Sequence, residues 1–278
     1  MPQEMGSTNE TLFLCLARDC ESNLPRFLQY LETMRSAGLP CSAIIGENGS
    51  RDHTRSLILE ASQRGISLLD TSAMASVPSR LARMAAGREL LLQAARGTGE
   101  PTFVCVADLD NVMEKPPAIE ALTRAMQRLR EDEALFAIGA TSRPVYYDLL
   151  ALRMKGYDFS TLDAEIAEAK KRPLTYHSFH QRRIYKNQRA LTTSSPIVCE
   201  STFNGFCLYR GSDYMLGSYR GPLEASICEH VTMNLSIGQA TGRQMLIAPD
   251  LIVQTPSDHA PVGLARFWLD RLRKSASL

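Results

Sequence analysis

Phe103-Val104-Cys105-Val106-Ala107-Asp108-Leu109-Asp110 is a short apolar run that ends in two carboxylates one residue apart. Residues two apart on a strand point to the same side, so Asp108 and Asp110 can face one cation where the strand leaves its sheet. The runs on either side share the same character. Thr11 to Ala17, Cys41 to Ile45, Ile66 to Leu69, Thr102 to Ala107 and Ala134 to Gly139 all have the pattern of short buried strands. Helical segments fall between them. The first opens at Ser22-Asn23-Leu24-Pro25 and repeats Phe27, Leu31 and Met34 at helical spacing. Others start near Asp52, run from Pro78 to Ala95, and follow Pro116-Pro117 with Ile119, Leu122, Met126 and Leu129 on one face. Strand and helix alternating with short connections predict an α/β fold: a mostly parallel sheet covered on both faces. Ligands in such folds bind beyond the carboxyl ends of the strands, where the two aspartates fall.

Past residue 140 the rhythm breaks. Residues 141 to 200 show little strict period, many aromatics and a basic cluster of Lys170, Lys171, Arg172, Arg182, Arg183, Lys186 and Arg189. That cluster reads as a lid over a diphosphate, a docking strip for an anionic acceptor, or a solvated surface. Regular structure returns at Gly205 to Tyr209, near Glu229 to Ile237 and at Gln244 to Ala248. The last helix sets Leu264, Phe267, Trp268 and Leu272 on one face, with Arg266, Arg271, Arg273 and Lys274 around them. It is expected to pack on the sheet, with peripheral contact at a membrane surface as the other reading. The expected organisation is a single domain over 1–278, with a nucleotide-binding half at 11–140 and an irregular acceptor-binding half at 141–278.

Composition narrows the function classes. The chain has 278 residues, 44% hydrophobic and 22% charged, which is the make-up of an ordinary globular protein. A net charge of +1 supplies no general field for nucleic acid, so no nucleic-acid partner is expected. Seven cysteines lie scattered without a Cys-x-x-Cys pair, an odd number that suggests reduced thiols rather than a zinc site or a disulfide framework. MPQEMGSTNE has no secretory character, and no apolar run approaches the roughly 20 residues of a membrane span. A cytoplasmic location is expected, with peripheral attachment to the inner membrane left open. Oligomeric state is not legible.

Three motifs recur in an order that resembles the GT-A glycosyltransferases. Ala17-Arg18-Asp19 closes the first strand, and Glu47-Asn48-Gly49-Ser50-Arg51-Asp52-His53-Thr54 follows the second. The aspartate pair then closes the fourth. Within that group the chain resembles the fungal capsule-associated (alpha-1,3-) mannosyltransferases and their bacterial relatives. The shared features there are an Arg- and Ala-rich helix at Ser79 to Arg88, the block Phe203-Asn204-Gly205-Phe206 and the block Cys228-Glu229-His230. The match covers residues 11 to 140 well and 200 to 240 loosely. His230 stands where a Cys is expected, and Asp-Leu-Asp where many relatives have Asn-Asp-Val.

The resemblance implies a metal-dependent hexosyltransferase in cell-surface polysaccharide synthesis. It would use a nucleotide-sugar donor, a glycan or lipid-linked acceptor, and Mn²⁺ or Mg²⁺. Asp110 is then the direct metal contact, with Asp108 on metal or ribose and His259 as a third ligand. Ala17, Arg18 and Asn48 form the nucleoside wall, while Arg80 and Arg83, three apart on one helical side, reach diphosphate or base. Glu229 is the candidate base toward the acceptor hydroxyl, with the stereochemical course left open. Each assignment has a plainer counterpart: a capping turn for the aspartates, a loop histidine, an Asn-Gly turn, a solvated helix face, and a helix-dipole acid at Glu229. Two other functions fit the same residues. Val104 to Val112 has the Asp-x-Asp-x-Val form of haloacid-dehalogenase-like phosphatases, with Asp108 as nucleophile. A non-catalytic nucleotide-sugar-binding relative is the other.

Overall fold

The computed structural model describes residues 10–221 and 227–276, so most of the N-terminal MPQEMGSTNE segment read above lies outside the described residues. The first half alternates as expected. β1 (Thr11–Ala17), α1 (Leu24–Ser36), β2 (Cys41–Glu47), α2 (Thr54–Glu60) and β3 (Ile66–Asp70) are followed by α3 (Arg80–Arg96), β4 (Phe103–Asp108), α4 (Ile119–Glu131) and β5 (Leu135–Arg143). β1, β2, β4 and β5 are buried on both faces, which is why they read as continuous apolar runs, whereas the edge strand β3 buries only Ile66. Along β1, Phe13, Cys15 and Ala17 point into one core while Leu12 and Leu14 point into the other. The first core holds α1 through Phe27, Leu31 and Met34, and α4 through Leu122, Met126 and Leu129. The second holds α3 through Leu91, Leu92 and Ala95.

The segment from 141 to 200 departs from the expectation of little regularity. After the short pair β6 (Arg153–Met154) and β7 (Tyr157–Asp158) come α5 (Leu162–Lys170) and α6 (Pro173–Phe179). A π-helical stretch, His180–Tyr185, then leads to α7 (Lys186–Ala190). Their apolar faces are only one or two turns long, too short to show a period in sequence. Arg183 of the basic cluster binds Glu165 at 2.7 Å and stacks on Phe159, so it serves this helical layer.

β8 (Ile197–Cys199), β9 (Phe206–Arg210), α8 (Gly211–Tyr214), α9 (Glu229–Thr241), β10 (Gln244–Gln254) and α10 (Leu264–Ala276) complete the described chain. The strand order is β3-β2-β1-β4-β9-β5-β10-β8. Pairs among β3, β2, β1 and β4 are parallel, as is β5 with β10, whereas β9 runs antiparallel between β4 and β5. The mostly parallel sheet of the sequence reading therefore holds, and strands from beyond residue 200 are threaded into it. The described side chains of α10 pack on the helical layer rather than, as expected, on the sheet. Phe267, fully buried, sits among Tyr176, His177 and His180 of the helical layer, while Leu264 and Leu269 stay exposed. The side chains of Leu272, Arg273 and Lys274 lie outside the described set. No described helix is long and apolar enough to cross a membrane, and all seven cysteines are buried without a disulfide.

Candidate active site

β4 and its neighbours end at a cleft of about 500 Å³. Asp108, Asp110, Asp148, Glu229, His259 and Arg80 all line it, from five separate parts of the chain. Five of these were expected to act together, and the fold brings them to one place. Asp148 was not anticipated.

Asp108 is the last residue of β4, and its backbone N–H donates to Gly205 O at 3.0 Å. Its carboxylate meets Arg88 of α3, Nη2 to Oδ1 at 2.6 Å. Arg88 is almost wholly buried; it also donates to Leu14 O and lies over the Phe203 ring, centroid at 5.4 Å. Burial raises the Asp108 pKa to about 7, outweighing the pull of Arg88, with Asp110, Asp148 and Glu229 adding to the rise. Asp110 is exposed and caps the short turn Asn111–Glu114, its Oδ1 accepting from Val112 N–H at 2.9 Å. The capping reading of this residue is therefore correct, and it uses one carboxylate oxygen.

Asp148 sits in the loop after β5. It accepts from the backbone N–H of Ala151 and of Asn204, each at 3.3 Å. Burial lifts its pKa to about 6; Glu229 adds to the rise, while those N–H groups and Arg80 work against it. Asn204 explains why the Phe203-Asn204-Gly205 block matters. It is fully buried with φ at 53°, and its Oδ1 accepts from the N–H of Tyr147 and Asp148 at 3.1 and 3.2 Å. Gly205, φ 78°, has no room for a side chain: a Cβ there would lie 2.6 Å from the Tyr147 hydroxyl and 2.7 Å from Val112. One two-residue block thus seats Asp108 on one side and Asp148 on the other.

Glu229 is buried as the first residue of α9, where the helix dipole favours its charge. The Cys228 thiol donates to its Oε2 at 3.6 Å, and His230 Nε2 lies 3.5 Å from its Oε1. His230 stacks on Phe203 at 3.6 Å, and burial with Arg88 nearby holds it neutral. His259 lies in the turn after β10, its ring 5.3 Å from Tyr147 and its carbonyl accepting from Gln188 at 3.2 Å.

The other expected residues take different positions. Ala17 ends β1 and Asn48 follows the last residue of β2, with Asn48 N–H donating to Ala17 O. Adjacent strands are roughly 5 Å apart, so these ends lie one and two strands from Asp108 along the sheet edge. Asn48 is buried, and its side-chain oxygen has no donor. Arg18 is exposed beside Asp19, and Arg83 turns back on its own helix start, donating to Val77 O and Pro78 O. None of these four lines the cleft around Asp108. The Glu47-to-Thr54 motif ties two turns together. Ser50 Oγ accepts from Asp19 N–H, Asp19 from Arg51 N–H, Asp52 from Glu21 N–H, Glu21 from His53 N–H, and Thr54 Oγ1 from Cys20 N–H.

Among the described residues no three His, Cys, Asp or Glu side chains converge closely enough to hold a metal by themselves. The donor set still suits a hard divalent cation. Four carboxylates face one cleft with Arg88 and Arg80 as their near cations, and such ions take carboxylate oxygens together with water and phosphate.

No family model matches the chain, and no curated protein matches it in sequence. Several solved structures share its general shape. Glucosyl-3-phosphoglycerate synthase from Mycobacterium tuberculosis, in complex with Mn²⁺, UDP and glucosyl-3-phosphoglycerate, is 14% identical over 93% of this chain and 75% of that one, with a TM-score of 0.45. Another structure of the M. tuberculosis enzyme is 13% identical over 92% and 74%, with a TM-score of 0.46. A third, in complex with Mn²⁺, UDP-glucose and phosphoglyceric acid, is 14% identical over 93% and 74%, with a TM-score of 0.43. Likeness at this level carries no argument about activity, which rests on the geometry of the cleft.

Proposed function

We propose that the chain is a metal-dependent glycosyltransferase that moves a sugar from a nucleotide-sugar donor to a glycan or lipid-linked acceptor in cell-surface polysaccharide synthesis. The observation that carries this reading is the gathering of Asp108, Asp110, Asp148 and Glu229 at one cleft beyond the sheet's carboxyl edge, with His259 and Arg80 beside them. Acids so placed suit a divalent cation and an anionic leaving group better than a neutral substrate. Asp110, with Asp108 and His259, would hold Mn²⁺ or Mg²⁺, which as a Lewis acid neutralises a departing diphosphate.

This chain's own residues then divide the work. Ala17, Arg18 and Asn48 receive the nucleoside along the sheet edge, where the buried Asn48 oxygen awaits a donor such as a base N–H. Arg80 faces the diphosphate. Arg83, bound to its own helix start, is left out of that role. Glu229 accepts the acceptor's hydroxyl proton as the acceptor oxygen bonds to the sugar's anomeric carbon. The bond from that carbon to the diphosphate breaks, and its electron pair leaves with the nucleoside diphosphate. The phosphatase alternative asks Asp108 to attack as a free nucleophile, yet one of its oxygens is held by Arg88.

The test is release of nucleoside diphosphate from a panel of nucleotide sugars with Mn²⁺, with and without Asp110→Ala. A carboxylate contact near 4 Å is worth about 4 kcal/mol at an effective dielectric of about 20, or about a thousandfold in rate. The variant is expected to lose that activity, with the lost cap on Val112 N–H costing no more than about 0.5–2 kcal/mol of stability. Full metal-dependent release by Asp110→Ala would overturn the assignment.

A further inference from the structure

The polar cleft does not end at Glu229. A second cavity of about 570 Å³ opens on its other side, between α3 and α9, and Leu81 and Glu229 line both. The two cavities are opposite in character. The second is walled by Met74, Val77, Leu81, Ala82, Ala86 and Leu90. Besides Glu229, its other buried carboxylate, Glu89, is already satisfied: Gln93 donates at 2.7 Å, Tyr219 N–H at 3.1 Å, and Arg220 pairs at 3.2 Å. At the mouth Leu90 and Ile227 are 40% and 37% exposed, so the apolar lining reaches the surface.

We propose that the acceptor is an amphiphile: its single apolar chain lies in this groove and its reacting hydroxyl reaches Glu229. The inference rests on the transferase reading above and adds the chemical class of the acceptor. Continuity with the cleft selects this occupant over an unrelated protein surface, because the groove runs up to the carboxylate assigned to take the acceptor's proton. A free sugar would leave its walls unused. The volume suits one chain, since small-molecule sites span about 300–1,000 Å³.

The experiment titrates methyl, hexyl, octyl and dodecyl glucosides into the full-length protein by calorimetry, each below its micelle concentration. Affinity is expected to rise about fourfold per added methylene until the groove is filled, at one chain per protein. Ala86→Trp, which fills the groove, and Leu90→Asp, which charges its mouth, should each flatten that rise. Leu59→Asp, on α2, should keep it. Equal affinity for methyl and dodecyl glucosides, or an unchanged slope in both groove variants, overturns the proposal. Wild-type protein that releases nucleoside diphosphate from a donor but shows no chain-length dependence sinks the groove and spares the transferase. Chain-length dependence without release from any donor does the reverse.

Discussion

Replacing Arg88 with Met removes the cation from beneath Asp108 while keeping most of the apolar length in the core. Arg88 Nη2 and Asp108 Oδ1 are 2.6 Å apart, and the arginine is almost wholly out of water. Charges about 4 Å apart attract by about 4 kcal/mol at an effective dielectric of about 20, and breaking a buried pair from one side costs about 3–5 kcal/mol. Arg88→Met is therefore expected to lose about 3–5 kcal/mol of unfolding free energy. Asp108→Asn strands the Arg88 charge but also removes a carboxylate whose burial holds its pKa up at about 7, so at pH 8 it should cost less than Arg88→Met. The double variant strands neither, so its loss should fall short of the sum by about 2 kcal/mol or more. The assay is urea unfolding followed by circular dichroism at pH 8 in chelator, for wild type and the three variants. Additivity to within about 0.5 kcal/mol, or a cost below about 1 kcal/mol for Arg88→Met, would show that the pair does not hold Asp108 in place.

Three further outcomes follow from the same geometry. Gly205→Ala should cost about 2–4 kcal/mol, because a Cβ at φ 78° meets Tyr147 and Val112 well inside contact distance; a melting temperature within a degree of wild type would refute this. His180, buried against Tyr176 and Phe267 and facing Arg271, has its pKa lowered to about 4, mainly by burial. The unfolded chain binds this proton near pH 6.5 and the folded chain only near 4, so stability is full above pH 6.5. It should fall by up to about 3 kcal/mol on the way to pH 4, a slope that His180→Phe should reduce in urea titrations at several pH values. Asp110→Asn keeps the capping oxygen for Val112 N–H, so thermal melting should be unchanged, while any melting shift that a panel of nucleoside diphosphates with Mn²⁺ produces in the wild type disappears.

β1, β2, β4 and β5 were legible because burial on both faces leaves an unbroken apolar signature, and α1 and α4 because each buries a single stripe. The irregular stretch hid its helices because α5, α6 and α7 are short and share their burial with residues far away in sequence. At the site, Asp108, Asp110, Glu229, His259 and Arg80 were readable from motif order. Arg88 was missed although a signal existed: it falls seven residues after Leu81 and four before Leu92, on the buried side of α3. A charge at such a position needs a buried partner. Asp148 carried no local signal. Its place depends on Asn204, 56 residues on, and a pairing of that span leaves no trace in periodicity.

The two turns at the ends of β1 and β2 are sewn to each other as well as to their own strands. Side chains from Asp19, Glu21, Ser50, Asp52 and Thr54 answer backbone groups across the gap, so neither turn keeps its shape without its counterpart. An engineer wishing to change what sits against this edge cannot transplant either segment singly from another protein. Residues 17 to 23 and 47 to 54 would have to travel as one cassette, and a library that randomises one while freezing the other would return mostly collapsed loops.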